Sequence, residues 1–563
     1  MDETLELLEG RFTGLAQGVA DGAYALWLGS GISRDRLPGL DELIVKVLVF
    51  LHDRSDAENS ECPYSKALEE AVDLAKLRSH ERDELDLDQN PTEWPHLNIV
   101  VDGLTDKYQE LLAIEINGEL ADYLIWEGVD VCETYGGDEP DCEHLCLAIL
   151  ALEGVVSEMV SANWDGLIEA AFAELAGDSN DVLRVVVLPD DLRGYDEDAM
   201  LLKVHGCAVL AKQDPEKYRA AIIGTRPQIT VWPDRADLEA IRTKMRSLAS
   251  TIPTLVIGLS IQDENLQQLF SKAAADLRWP WPADPPAHVF ADEALGADQI
   301  NVLRVVYGED SYTANADEVK AQSLIRAFSK PLLTALVLFA LCAKLRAYLR
   351  KAEMPRLGSG EREELEEGLD SVAHRLAAGV GTDHLGFVRG LVSDQRRALS
   401  LFREGIEPTS GSTRYARISR KPASQAESDP NIATNGFREL AAGLALLGRG
   451  ETVGSWSVAR GSLASGTAGA LKIIKGQEET AVFFAANGAA ALRLHRDGIA
   501  DTSDPDTLII HSTELVRQAA RSPRPSYGRD GRSSVREVHL RDLLAAAPDL
   551  ASLEEGFRQE AAL

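Results

Sequence analysis

The sequence predicts an α/β fold: a doubly wound, mostly parallel sheet with a helical insertion, followed by a C-terminal module that is helical and then α+β. Two observations support this prediction. Apolar runs of strand length alternate with segments of helical periodicity between residues 24 and 310, as in parallel sheets with crossover helices. After residue 317 the pattern changes to long helices and then to short β-like runs among glycines. The first pattern is the one expected of a Rossmann-like sheet.

The elements of the sheet domain follow one another along the chain. Tyr24–Leu28 is an apolar run of strand length, and Leu40–Leu51 has helical spacing. From about residue 53 to 137 the chain is acidic and its apolar residues recur at helical intervals, which predicts the helical insertion. Further strands are predicted at 155–162, 182–188, 200–204, 254–258, 288–291 and 302–306, and helices at 142–152, 166–176, 235–250 and 266–277.

The elements of the C-terminal module are less regular. Helices are predicted at 319–328, 332–350 and 362–378, a linker at 405–436, β-like runs at 470–474, 481–485 and 507–510, and a mobile loop at 521–534. No pattern beyond residue 330 points to a chemical function.

Charge and composition exclude several classes of protein. The net charge of the 563 residues is −34, and residues 391–563 hold 22 basic and 21 acidic residues, so the excess of acid lies before them. This disfavours direct binding of nucleic acid by the N-terminal part. The longest apolar stretch, Pro331–Ala343, is shorter than the roughly 18 residues that span a bilayer. With no signal-peptide pattern and six unevenly spaced cysteines, we expect a cytoplasmic protein with no membrane partner.

Four short segments, each following a predicted strand, are the most informative feature of the chain. They are Leu28–Ser33 (LGSGIS), Ser161–Asp165 (SANWD), Lys203–Gly206 (KVHG) and Gly258–Asn265 (GLSIQDEN). Because the carboxyl ends of parallel strands meet at one edge of a sheet, we expect the four segments to form one ligand cleft. Gly29 and Gly31 would let the backbone approach a pyrophosphate at a helix N-terminus. A tight turn without a ligand is the alternative.

In this order the four segments resemble the sirtuin family, in particular bacterial sirtuin-like proteins that consume NAD. The glycine segment is similar to the family's Gly-Ala-Gly-Ile-Ser loop, SANWD to Thr-Gln-Asn-Ile-Asp, and KVHG to Leu-His-Gly. The resemblance covers roughly residues 20–310. It implies an NAD-binding catalytic domain over residues 1–316 and an assembly or partner-binding module over 317–563. The family's Pro-Asp-Phe-Arg continuation is missing, and Pro38–Leu43 stands in that region.

The resemblance assigns roles to individual residues. Breaking the nicotinamide–ribose bond builds positive charge at C1′ of the ribose, where Asn163 would orient the nucleophile and Asp165 would stabilise charge. His205 would be the catalytic base. The residues expected to hold the dinucleotide are Gly29, Ser30, Gly31, Ser33, Gly258, Ser260 and Asp263.

Each of these residues also has a structural interpretation. Asn163, Asp165 and Asp263 precede predicted helices, where Asn and Asp commonly cap the first turn. A histidine at a strand end, such as His205, can be a hydrogen-bonded structural residue.

We predict no metal site. The two Cys-x-x-Cys pairs of zinc-bearing deacylases are absent, and Cys142 and Cys146 lie one helical turn apart with His144 on another face. Structural zinc needs four convergent ligands.

The function expected from the resemblance is hydrolysis of NAD as a substrate, without a cofactor, by a triggered effector of antiphage defence. The alternatives are an NAD-dependent protein deacylase or ADP-ribosyltransferase, and a nucleotide-sensing assembly subunit of a partner complex. A homo-oligomer is expected, because the predicted helix at 332–350 is apolar over much of its circumference. The resemblance also implies a HerA-type ATPase as a possible partner.

Overall fold

A seven-stranded, wholly parallel sheet is the centre of the N-terminal part. The computed structural model describes residues 2–56, 58–177, 182–194, 198–379, 381–409, 411–461, 469–501, 504–513 and 536–563. The strands of this sheet are β1 Ala25–Leu28, β2 Glu158–Ser161, β3 Leu183–Val186, β4 Ala199–Lys203, β5 Thr254–Ile257, β6 His288–Ala291 and β7 Leu324–Ile325. They lie in the order β3-β4-β2-β1-β5-β6-β7. The predicted doubly wound parallel sheet is therefore confirmed.

The central strands are apolar because helices cover both faces of the sheet. Every residue of β1 and of β5 is buried. In the register of the sheet, Leu28 is level with Ser161 and Ile257, and Ser161 is level with Lys203. Four neighbouring strands therefore end at the same height.

Seventeen helices lie between residue 2 and residue 323 of the described chain. They are α1 Asp2–Glu9, α2 Thr13–Ala20, α3 Leu40–His52, α4 Pro63–Leu74, α5 Ser79–Asp83, α6 Leu97–Thr105, α7 Tyr108–Leu111, α8 Val131–Thr134, α9 Cys142–Leu152, α10 Leu167–Ala176, α11 Ala208–Gln213, α12 Pro215–Tyr218, α13 Arg226–Val231, α14 Glu239–Thr251, α15 Glu264–Asp276, α16 Ala297–Tyr307 and α17 Glu309–Ser323. Helices α3, α4, α6, α7 and α8 share one apolar cluster, so the region predicted as an insertion has a core largely of its own.

Two predicted elements are wrong in this part. The run at 302–306, predicted as a strand, belongs to α16, where Val302, Leu303, Val306 and Tyr307 form one buried helical face. A short apolar run fits a strand and a buried helix equally well, which explains the error. The helix predicted at 319–328 ends at Ser323, and β7 follows it.

The C-terminal part combines long helices with a five-stranded mixed sheet. Its helices are α18 Ser329–Arg350, α19 Ser359–Ala378, α20 His384–Glu404, α21 Phe437–Thr452, α22 Gly488–Arg496, α23 Leu540–Ala546 and α24 Leu550–Ala561. Its strands are β8 Ser457–Arg460, β9 Leu471–Lys475, β10 Glu478–Ala485, β11 Thr507–His511 and β12 Arg536–His539, in the order β12-β11-β10-β9-β8. The loop predicted at 521–534 lies outside the described residues.

Helix α18 joins the two parts of the chain. It packs in one apolar core with α1, α2 and α9. By length and composition it could cross a membrane, but 83% of its most apolar stretch is buried, as in the core helix of a soluble protein. Near its end, Lys344 forms a fully buried ion pair with Glu153 at 2.5 Å. The domain boundary predicted between residues 316 and 317 stays a prediction.

Candidate functional site

The four predicted segments come together at the carboxyl edge of the parallel sheet. They follow β4, β2, β1 and β5, which are consecutive strands. The chain moves to one side of β1 for β2, β3 and β4, and to the other side for β5, β6 and β7. This makes β1 the topological switch point, where open α/β sheets bind their ligands.

The glycine loop after β1 rests directly on the backbone of the loop after β5. The Gly31 N–H donates to the Gly258 carbonyl oxygen at 3.0 Å, and the Gly29 N–H donates to Ile257 at 3.1 Å. A Cβ on Gly29 would lie 2.3 Å from the Gly258 oxygen, and one on Gly31 would lie 2.6 Å from the Gly258 Cα. Gly258 has a φ of +65°, which favours glycine. Contact between the two loops therefore explains these three glycines.

One part of the expected phosphate site is not present. The glycine loop continues into a single 3₁₀ turn, Ser30–Ile32, and the next α-helix begins only at Leu40. The sequence suggested a helix N-terminus immediately after the glycines, but the chain turns through Arg36 and Leu37 first.

Ser33, His144 and Asp165 form a buried hydrogen-bond chain. The Asp141 N–H donates to His144 Nδ1 at 3.1 Å, which places the ring proton on Nε2. His144 Nε2 lies 3.1 Å from Ser33 Oγ, and Ser33 Oγ donates to Asp165 Oδ2 at 3.0 Å. Burial lowers the pKa of His144 to about 4, so the ring is neutral at pH 7. The chain therefore orients Ser33 toward the Asp165 carboxylate.

Asn163 lies next to this chain. Its Nδ2 donates to the Gly29 carbonyl oxygen at 3.2 Å and lies 3.5 Å from Ser33 Oγ. The other oxygen of Asp165 accepts the Leu167 N–H at 3.1 Å, so Asp165 also caps α10. The capping and the site interpretations of Asp165 are therefore compatible. The side chains of Ser33, Asn163 and Asp165 are all buried, at the carboxyl ends of β1 and β2.

His205 and Asp263 lie in hydrogen-bond contact at the carboxyl edge of the sheet. His205 Nε2 lies 2.8 Å from Asp263 Oδ2, and both side chains are partly exposed. The Asn265 N–H donates to Asp263 Oδ1 at 2.7 Å, so Asp263 is also the N-cap of α15. Burial raises the pKa of Asp263, but the contact with His205 and the backbone N–H groups of Asn265 and Leu266 together outweigh burial and hold that pKa below its usual value. Asp263 was predicted as a ribose ligand, and the structure brings it to His205.

Lys203 lies beneath the site, fully buried at the end of β4. Its ammonium lies 2.7 Å from Glu169 and also donates to the Asp165 carbonyl oxygen. Burial alone would lower the pKa of Lys203, but nearby Cys207 and the Glu169 and Asp165 carboxylates raise it above its usual value. A charged lysine therefore fixes the start of α10 from below.

The helical insertion contributes aromatic residues that the sequence analysis did not identify. The Tyr135 and Trp164 rings meet edge to face with centroids 5.4 Å apart. Burial raises the pKa of Tyr135 to about 12, with a further contribution from the Asp165 carboxylate. Burial also raises the pKa of Tyr108, and the Asp263 carboxylate adds to that shift. The contact between Tyr135 and Trp164 therefore joins the insertion to the segment that carries Asn163 and Asp165.

His144 was also missed as a site residue, although it was noted as a possible metal ligand. The feature that could have identified His144 is a polar ring in the first turn of a helix whose residues are all buried. Cys142 and Cys146 instead face Thr334 of α18. Within the described ranges, no group of three or more His, Cys, Asp and Glu side chains is arranged to hold a metal ion. Of the remaining predicted residues, Ser30 and Ser260 are exposed at the edge of the cleft.

One comparison identifies part of this chain. Residues 157–300 match the family model of the SIR2-like domain, whereas no curated protein matches the chain. The matched range starts at the residue before β2 and ends within α16, so it contains Asn163, Asp165, His205 and Asp263 but not the glycine loop. The SIR2-like domain supports a sirtuin-like protein and fits NAD-related chemistry.

Proposed function

We propose that this protein is an NAD glycohydrolase that converts NAD and water to nicotinamide, ADP-ribose and a proton. The observation that carries the proposal is the position of Asn163 and the His205–Asp263 pair at the carboxyl edge of neighbouring strands, inside the SIR2-like domain. The buried Ser33–Asp165 contact supports it, because it adds an oriented carboxylate at the same edge.

In the proposed reaction, the bond from C1′ to the nicotinamide nitrogen breaks while a bond from C1′ to a water oxygen forms. Asn163 orients the water or a ribose hydroxyl through its amide oxygen, because its Nδ2 is already engaged by Gly29. Asp165 stabilises the positive charge that develops on the ribose.

His205 takes the proton that the attacking water loses. An ionised carboxylate only accepts hydrogen bonds, so the Nε2–H of His205 donates to Asp263, and Nδ1 is left as the basic atom. Asp263 then stabilises the imidazolium that forms, as the carboxylate of a catalytic triad does. Asp263 is thus a positioning residue in this proposal.

The decisive experiment follows nicotinamide release from NAD by the purified protein, without any acylated peptide. Asn163→Ala and His205→Ala should each lower the rate by about 10²–10⁴-fold. Asp263→Asn should lower kcat while keeping the fold, because Asn also caps helices well. His80→Ala, at an exposed position of α5, is the matched control and should retain the parent rate.

Two results would contradict the proposal. The first is a folded Asn163→Ala or His205→Ala variant that hydrolyses NAD at the parent rate. The second is stoichiometric transfer of an acyl group or of ADP-ribose to a protein substrate, which would favour a deacylase or a transferase instead.

The proposal extends to control of the activity, because continuous hydrolysis would deplete the NAD of its own cell. We propose a triggered effector, with a homo-oligomer and a HerA-type ATPase as its expected assembly partners. Since α18 is largely buried by its own chain, the assembly surface would lie elsewhere. Light scattering should show an oligomer at micromolar concentration, whereas a monomer with maximal NAD turnover would contradict this extension.

A further inference from the structure

A cavity lies at the edge of the parallel sheet opposite to the candidate functional site. It has a volume of about 240 Å³ and is lined by Arg414, Arg417 and Arg420, together with Tyr415 and four aliphatic residues. The aliphatic residues belong to the ends of α9 and α10 and the approach to β3. This edge carries the amino ends of the strands, so the cavity is distinct from the candidate NAD site.

The charges of the three arginines are only partly compensated. Arg417 pairs with Asp198 at 2.8 Å. Arg414 and Arg420 are exposed, and neither has an acidic partner in the part of the chain that the structure describes. This is unexpected in a chain with 91 acidic residues and 57 lysines and arginines. Among the described residues, the cavity therefore carries positive charge without an acidic partner, on a chain whose net charge is strongly negative.

The segment that carries the arginines is held firmly in place. The Tyr415 hydroxyl and the Ile418 N–H donate to Glu153 Oε1 at 2.7 and 2.9 Å. The Tyr415 N–H also donates to the Leu175 carbonyl oxygen at 2.8 Å, at the end of α10. Glu153 is itself locked by its buried ion pair with Lys344. The guanidinium groups therefore extend from a backbone that is fixed before any ligand arrives.

We propose that this cavity binds a small polyanion with adjacent phosphate groups. Arginine forms paired, charge-assisted hydrogen bonds to phosphate oxygens, and two guanidinium groups that have no acidic partner in the described ranges match a ligand with at least two negative charges. The net charge of −34 on the chain would repel a long nucleic acid, which favours a small ligand. The same phosphate chemistry occurs in free inorganic polyphosphates and in nucleoside di- and triphosphates.

The test is calorimetric binding of tripolyphosphate and of ATP to the full chain. The probe variant is Arg414→Gln with Arg420→Gln, which removes two exposed side chains that form no ion pair in the described structure. The matched control is Arg193→Gln with Arg496→Gln, which removes the same charge at exposed positions away from the cavity. Circular dichroism checks the fold of both variants.

We expect the parent and the control to bind, and the cavity variant to bind at least about tenfold more weakly. Equal binding of tripolyphosphate and ATP would assign the site to the phosphate chain alone, whereas binding of ATP only would assign it to a nucleotide. Binding of a probe that is equally strong in the parent and in the cavity variant belongs to another site, such as the candidate NAD site. If neither tripolyphosphate nor ATP binds the cavity variant more weakly than the parent, or if neither binds the parent, the inference is overturned. Because the readout is binding, failure of the proposed NAD cleavage would not affect it.

Discussion

The hydrogen-bond chain through His144 yields the sharpest prediction from this structure. In His144→Phe an aromatic ring of somewhat larger size replaces the imidazole, and both ring nitrogens are lost. The Asp141 N–H then loses its acceptor, and Ser33 Oγ loses the Nε2 contact. Leaving a buried polar group unpaired costs about 1–3 kcal/mol, so the free energy of unfolding should fall by about 2–4 kcal/mol.

The same substitution should also slow NAD cleavage. His144 is fully buried and can act on substrate only through the Ser33 hydroxyl and the Asp165 carboxylate. Small misplacement of a catalytic group can cost about 100-fold in rate, so we expect kcat to fall by about 10- to 100-fold. KM should change little, because His144 itself does not reach the cleft surface.

His288→Phe provides the matched control. His288 is equally buried, but neither of its ring nitrogens has a hydrogen-bond partner among the described residues, and it lies at the start of β6, away from the site. Its substitution should change stability by less than about 1.5 kcal/mol and leave NAD cleavage unchanged. Urea unfolding and nicotinamide release, measured for both variants, decide the matter. Equal losses in the two variants would refute the role of the hydrogen-bond chain.

Two further predictions concern acid stability and the glycine loop. Three histidines have pKa values that burial lowers to between about 3 and 4. They are His144, His288 and His511. Below about pH 6.5 these histidines bind protons in the unfolded chain but not in the folded chain. Their contribution to stability is therefore intact above that pH and is lost as the pH falls. By pH 5 each histidine should lower the free energy of unfolding by about 2 kcal/mol. Urea titrations that show equal stability at pH 8 and pH 5 would contradict this. In Gly29→Ala the new Cβ would lie 2.3 Å from the Gly258 oxygen, so NAD cleavage should be lost, whereas Gly39→Ala, with open space around it, should keep activity.

The sequence was sufficient to predict the sheet and the edge at which the candidate residues lie. Parallel strands are covered on both faces, so each appears as a continuous apolar run, and the polar residues that follow it mark the carboxyl edge. The strands β2, β4 and β5 were predicted within a few residues, and with them the positions of Asn163, His205 and Asp263.

Local sequence patterns could not predict which side chains of the site contact one another. His144 lies 111 positions and Asp165 lies 132 positions after Ser33 in the sequence, and only the folded chain brings the three residues together. A capping pattern at Asp263 is equally typical of a structural aspartate, so its contact with His205 had no separate signal. Tyr108 and Tyr135 lie within the predicted insertion, and no pattern in the sequence connects either residue with the site.

Helix α21 in the C-terminal part was not predicted, because its sequence contains glycines. In a sequence alone, glycines indicate a break in a helix. In the structure a Cβ on Gly448 would lie 1.8 Å from the Gly368 carbonyl oxygen, and one on Gly368 would lie 2.1 Å from that of Ala445. The two helices α19 and α21 therefore cross at backbone contact, and glycine is the residue that permits it. Such tertiary reasons override local propensity.

The core that α18 shares with the first helices has a consequence for biosynthesis. Leu5, Leu8 and Leu15 pack against side chains such as Leu336, which the ribosome adds more than three hundred residues later. At a synthesis rate of about 5–20 residues per second, the apolar faces of α1 and α2 are without α18 for about 15–60 seconds. The nascent chain must therefore hold its first helices against other surfaces, or against a chaperone, until α18 emerges. Synthesis that stops before α18 should release a protein prone to aggregation.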